Sequence, residues 1–116
     1  MLVHNAIAKK YGDREWIENK GNKESNSKGK NNIHADPNTS EPHVVYKKDP
    51  KTGQITHYTV FDSNPYSPTG LQKGISYHGI GEGHYNKATG QYVDTPHVHD
   101  PSTKGGVRKP FPDEIP

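Results

Sequence analysis

Near the C-terminal end the chain reads Thr95-Pro96-His97-Val98-His99-Asp100-Pro101, two imidazoles separated by one apolar residue. In an extended strand, residues two apart project from the same face about 7 Å from each other, so His97 and His99 can address one ligand while Val98 packs behind them. Imidazoles titrate near about pH 6.5, which lets one accept a proton while another donates at neutral pH. Five of the eight histidines fall between His57 and His99, so partners for such a pair are at hand.

This chemistry suits cleavage of RNA without a metal. One group removes the proton of the ribose 2′-hydroxyl, a second protonates the leaving 5′-oxygen, and a cation steadies the charged phosphorane. On this reading His97, His99 and His84 are the catalytic histidines, and Arg108 or Lys109 is the phosphate clamp. Lys47 and Lys48, with His43 on the same segment, are expected substrate contacts, although an exposed, soluble turn would carry the same lysines. The same atoms have a rival use. His97, His99 and a carboxylate from Asp100 or Glu82 would make a three-ligand Zn²⁺ or Mn²⁺ site with an open position. A third reading is structural, with the imidazoles capping turns around Pro96 and Pro101.

Strands must carry these residues. His43 to Lys48 and Ile55 to Phe61 are two β-prone runs around Asp49-Pro50-Lys51-Thr52-Gly53, where Asp and Pro open a turn and Gly supplies a positive φ. Tyr85 to Val93 repeats the device, with Lys-Ala-Thr-Gly-Gln echoing Lys-Thr-Gly-Gln, which predicts two hairpins in one antiparallel sheet. Ile75 to His78 reads as a short strand. The glycines of Gly79-Ile80-Gly81-Glu82-Gly83 lack a following Lys-Ser/Thr and a helix pattern, so they mark a sheet corner rather than a phosphate loop. Ala6 to Lys20 offers Ile7, Tyr11, Trp16 and Ile17 as anchors of a short helix interrupted by Gly12. Gly21 to Asn32 has no apolar residue and reads as a linker. Pro101 to Pro116 is expected to run as an irregular, Pro-rich strap.

Only 27% of the residues are hydrophobic and the mean hydropathy is -1.13, so the core must be small. Twelve Gly and ten Pro favour turns over helices. The expected fold is therefore mainly β or α+β: a small twisted antiparallel sheet built from hairpins, with a short N-terminal helix. The absence of cysteine excludes a disulfide framework, a thiol nucleophile and thiolate metal sites. Residues 41–116 carry eight basic and eight acidic side chains, so a phosphate site must come from local clustering. No apolar run reaches the length of a membrane span, and any export signal is expected on a longer parent chain.

Two stretches resemble known families. From His43 onward the chain is similar to the type twenty-four family of bacterial polymorphic toxins. The likeness rests on Pro42-His43, Tyr46-Lys47-Lys48-Asp49 with Thr52-Gly53, His84 followed by Asn86-Lys87 and Thr89-Gly90, the Thr95–Pro101 motif, Gly105-Gly106-Val107-Arg108 and the Pro112–Pro116 end. Leu2-Val3-His4-Asn5 before Ala6 resembles the end of a Hint autoprocessing domain, in which a His assists cyclisation of a terminal Asn. These resemblances imply a Hint-like remnant over 1–5, a helix and linker over 6–42, and a toxin domain over 43–116. They imply a ribonuclease-like effector with functional histidines at His84, His97 and His99, secreted as the C-terminal part of a larger bacterial protein. It would act in the cytoplasm of a target cell on tRNA or rRNA, as a monomer, and be held in check by a cognate immunity protein. A metal-dependent nuclease and a non-enzymatic binding module are the alternatives.

Overall fold

The computed structural model describes residues 14–19 and 33–116. The Hint-like stretch, the expected linker over 21–32 and most of the expected helix lie outside these residues. Where the helix expectation can be compared, over 14–19, the chain is extended instead. Strand β1 (Glu15–Glu18) pairs parallel to β2 (His43–Lys48), with Trp16 opposite Val44. The reason is tertiary. Trp16 packs on Tyr46 and Tyr58 with ring centroids 6.2 and 5.4 Å away, and this burial outweighs a weak local preference for helix.

Strands β2, β3 (Ile55–Ser63), β4 (Leu71–His78), β7 (His97–His99) and β8 (Val107–Arg108) follow β1 in a six-stranded sheet of order β1-β2-β3-β4-β7-β8. All pairs after the first are antiparallel, so the sheet is mixed rather than purely antiparallel. Both expected hairpins form. The second, β5 (His84–Asn86) with β6 (Gln91–Val93), is however a separate two-stranded ribbon and not part of the main sheet. Its anchor is Asn86, which is 2% exposed and donates through Nδ2 to the carbonyls of Lys104 and Val107 at 2.9 and 3.0 Å. The repeated turn sequences fold alike. Gly53 N–H donates to the Asp49 carbonyl and Gly90 N–H to the Asn86 carbonyl, each at 2.8 Å, and both glycines have φ +75°.

The period of two along each strand divides the apolar residues between two faces. One face holds Val44, Tyr46, Tyr58, Val60, Tyr77 and Val98 as the main core, flanked by Trp16, Ile55 and Ile75. Tyr58 stacks on Tyr77 at 5.2 Å, and its hydroxyl donates to the Glu114 carbonyl at 2.7 Å. The other face carries a smaller cluster of Ile33, Val45 and Phe61 with Ala35. The Pro-rich end is more than a surface strap, because it supplies edge strand β8 and buries Val107 and Glu114. No helix among the described residues is long and apolar enough to cross a membrane.

Candidate functional site: a histidine row across the sheet

Backbone register builds the site. Lys47 on β2 lies opposite His57 on β3, His57 opposite His78 on β4, and His78 opposite His97 on β7. Beside them on the same strands, Tyr46, Tyr58, Tyr77 and Val98 form the matching row on the opposite face. Burying those tyrosines and Val98 turns Lys47 and the three imidazoles to the other side, and a one-residue slip would reverse both. His99, two residues beyond His97, faces Ser76, which shares a 2.8 Å hydrogen bond with Thr59. His84 arrives from the ribbon and meets His99 edge-on at 5.0 Å.

The rings are in mutual contact. His57 meets His78 edge-on at 5.2 Å, His78 stacks on His97 at 5.2 Å with 19° between planes, and His78 and His99 stand 4.7 Å apart. The shortest polar contact is His97 Nε2 to His99 Nε2 at 3.1 Å, in which the tautomers decide the donor. Burial falls outward, from His97 (2% exposed) and His57 (6%) through the half-buried His78 and His99 to the exposed His84. The His57 Nδ1 shares a 2.9 Å hydrogen bond with the Thr56 hydroxyl. His57 Nε2 and His97 Nδ1 are buried without a hydrogen-bond partner in the protein.

Desolvation holds the inner imidazoles neutral, and each neighbour that gains a proton makes the next protonation harder. Burial, then His99, His57, His97 and His84, push His78 down to about 3. Burial, His97 and His84 push His99 down to about 4. His57 is lowered by burial, Lys47 and His97. His97 is lowered chiefly by burial, partly opposed by the Asp94 carbonyl, which lies near enough to favour the protonated ring without making a hydrogen bond of ordinary geometry.

The structure thus brings together His84, His97 and His99, and adds His57 and His78, which sequence reasoning left without a role. The signal that could have found them is the strand period applied across the register: His57-Tyr58 and Tyr77-His78 are mirror-image pairs on neighbouring antiparallel strands.

The other expected residues are placed differently. His43 is 1% exposed and stacks on Phe61 at 5.2 Å. Its Nε2 accepts from Asp36 N–H at 3.1 Å, and its Nδ1 lies 2.7 Å from the Glu41 carbonyl. It is a satisfied core histidine, not a substrate contact. Arg108 is not a free phosphate clamp, because it makes paired hydrogen bonds to Glu114 at 2.8 and 2.9 Å and a further one to Asp100 at 3.1 Å. Asp100 is spent on that pairing and on Ser102, so it does not join His97 and His99 as a metal ligand. Glu82 is exposed. Lys48 lies 3.9 Å from Glu18, away from the row, whereas Lys47 flanks His57 within it. Lys109 reaches the Asp94 carbonyl at 3.2 Å and lies close enough to His97 to disfavour its protonation.

Comparison with known proteins places this chain among bacterial toxins. Over residues 22–111 the chain matches the family model described as bacterial toxin 24, and it belongs to that family. No curated protein and no solved structure matches it.

Proposed function

We propose that this toxin domain is a metal-independent endoribonuclease that works by proton transfer among its clustered histidines. The observation that carries the reading is the contact of His97 Nε2 with His99 Nε2 at 3.1 Å, with exposed His84 against His99 at the edge of the cluster. Burial holds His99 neutral at physiological pH, which leaves a ring nitrogen free to accept the ribose 2′-hydroxyl proton. The freed 2′-oxygen bonds to phosphorus and the P–O5′ bond breaks. His84 keeps its water shell and is assigned to protonate the departing 5′-oxygen. His97, stacked on His78 and touching His99, is assigned to fix the orientation of His99 and share its proton. Lys109 is assigned the clamp role, since Arg108 is paired with Glu114 and Asp100.

Membership in a toxin family supports action on a target cell after secretion within a larger bacterial protein. The Leu2–Asn5 stretch supports release by a Hint-like cut, and an immunity protein that covers the histidine row would protect the producer. The test is inducible expression with and without His97→Ala, followed within minutes by total RNA on a denaturing gel, and digestion in vitro with EDTA. Discrete fragments ending in cyclic phosphate, dependent on His97 and made in the presence of EDTA, are expected. Growth arrest with intact RNA would overturn the reading.

A further inference from the structure

Proton transfer through His84, His97 and His99 leaves part of the cluster unused. His78, His97 and His99 each offer a ring nitrogen, and these three atoms lie within 4.8 Å of one another. They stand on the paired strands β4 and β7, so sheet register sets their spacing. Two nitrogens bound to one tetrahedral Zn²⁺ are about 3.3 Å apart, given Zn–N bonds of about 2.0–2.1 Å. The 3.1 Å between His97 Nε2 and His99 Nε2 is therefore already close to that of a chelating pair. Side-chain rotation of His78 has about 1.5 Å to make up.

We propose that His78, His97 and His99 form a three-imidazole site for a divalent ion of the Zn²⁺ class, and that its occupancy silences proton transfer by claiming the facing nitrogens of His97 and His99.

A second observation points the same way. His97 Nδ1 is buried and has no hydrogen-bond partner, an arrangement that costs free energy if nothing answers it. An ion on Nε2 would fix the ring proton on Nδ1, and the backbone of Asp94 lies close enough to the ring to favour its protonated form. Metal-bound histidines commonly direct their second N–H to a backbone carbonyl. Three imidazoles without a carboxylate suit Zn²⁺, Cu²⁺, Ni²⁺ or Co²⁺ and disfavour Mg²⁺ and Ca²⁺. Lys109, near His97, and Lys47, near His57, are the opposing charges and set an upper limit on affinity.

The binding half of this inference rests on geometry alone, and only the silencing half rests on the ribonuclease reading. The full chain is titrated with Zn²⁺ by calorimetry and with Co²⁺ by visible absorption. One ion per chain and intense tetrahedral Co²⁺ bands are expected. His78→Phe preserves a planar ring against His97 and removes the ligand, so binding should weaken on the order of 100-fold or more, since even outer-shell partners are worth roughly 10–100-fold. His99→Gln provides a second ligand variant, and circular dichroism checks that each is folded. Zn²⁺ should stop RNA cleavage by the unaltered chain in proportion to occupancy, and EDTA should restore it. His78→Phe should continue to cleave at the same Zn²⁺ concentration. Absence of binding, octahedral Co²⁺ bands, or equal binding by folded His78→Phe and His99→Gln overturns the site. Acceleration by Zn²⁺ overturns the silencing. RNA left intact under every condition sinks the ribonuclease reading and the silencing with it, while the binding result still decides the site.

Discussion

Arg108 and Glu114 face each other through two parallel hydrogen bonds of 2.8 and 2.9 Å, and Glu114 is only 1% exposed. Glu114 Oε1 also accepts from Phe111 N–H at 2.8 Å, so the carboxylate organises the C-terminal turn as well as the guanidinium. Arg108→Ala would strand a buried carboxylate, which costs about 3–5 kcal/mol. Urea unfolding should show the loss in the midpoint. Glu114→Gln keeps the side-chain shape and one acceptor oxygen, and should cost less than Arg108→Ala. A change in RNA binding by Arg108→Ala with unaltered stability would contradict the structural role.

His99→Ala should reduce the initial rate of RNA cleavage on the order of 10²–10⁴-fold, the range for loss of a general base. His57→Phe should change it far less, because the ring that His57 meets is that of His78, edge-on, rather than the outer histidines His84 and His99. Rates on a short labelled RNA compare the two. Equal losses would mean that the whole row, not its outer end, does the chemistry.

Lys109 carries the phosphate contact in this scheme. Lys109→Ala should weaken RNA binding nearly uniformly across sequences, and the slope of log affinity against log salt should flatten by about one unit. Filter binding at several salt concentrations gives the slope. An unchanged slope removes Lys109 from the interface.

Acid should destabilise the fold below neutrality. The folded-state values of His78 and His99 are about 3 and about 4, well below that of an unfolded imidazole near about 6.5. The unfolded chain therefore binds more protons throughout that window. The stabilisation is complete above about pH 6.5 and is lost as pH falls through the folded values, with an upper limit of about 1.4 kcal/mol per pH unit for each ring. Partial exposure reduces this. Urea midpoints should fall between pH 7.5 and pH 5, and the fall should be smaller in His78→Phe.

Gly105 has φ +79°, and a Cβ there would overlap the Asn86 side-chain amide. Gly105→Ala should therefore cost roughly 1–3 kcal/mol in backbone strain, plus displacement of Asn86. Because Asn86 ties down the ribbon that carries His84, the variant should lose RNA cleavage beyond what its melting temperature explains. Wild-type cleavage by a folded Gly105→Ala would separate the ribbon from the site.

Local rules made much of this molecule legible from sequence. The repeated Thr-Gly-Gln turns, the β-prone run of Ile55 to Phe61 and the shared face of His97 and His99 all follow from period and turn chemistry, and each is present. What was not legible depends on which strand lies beside which. Glu15–Glu18 became a strand because Trp16 found Tyr46 and Tyr58 more than twenty-five residues away. His57 and His78 joined the site through register with partners twenty-one and nineteen residues along the chain. Arg108 looked like a free cation because its partner Glu114 sits in a turn with no periodic pattern to announce it.

The alternation of tyrosine and histidine along the same strands has a consequence for how such a domain can change over time. Tyr46, Tyr58, Tyr77 and Val98 belong to the main hydrophobic core, while the histidines occupy the adjacent positions and face away. On the proposed reading, substitutions on the imidazole side would alter substrate preference, or evade a blocking protein, while the tyrosine row stays in place. The same backbone can therefore host a succession of active surfaces, provided that the tyrosine side is left alone.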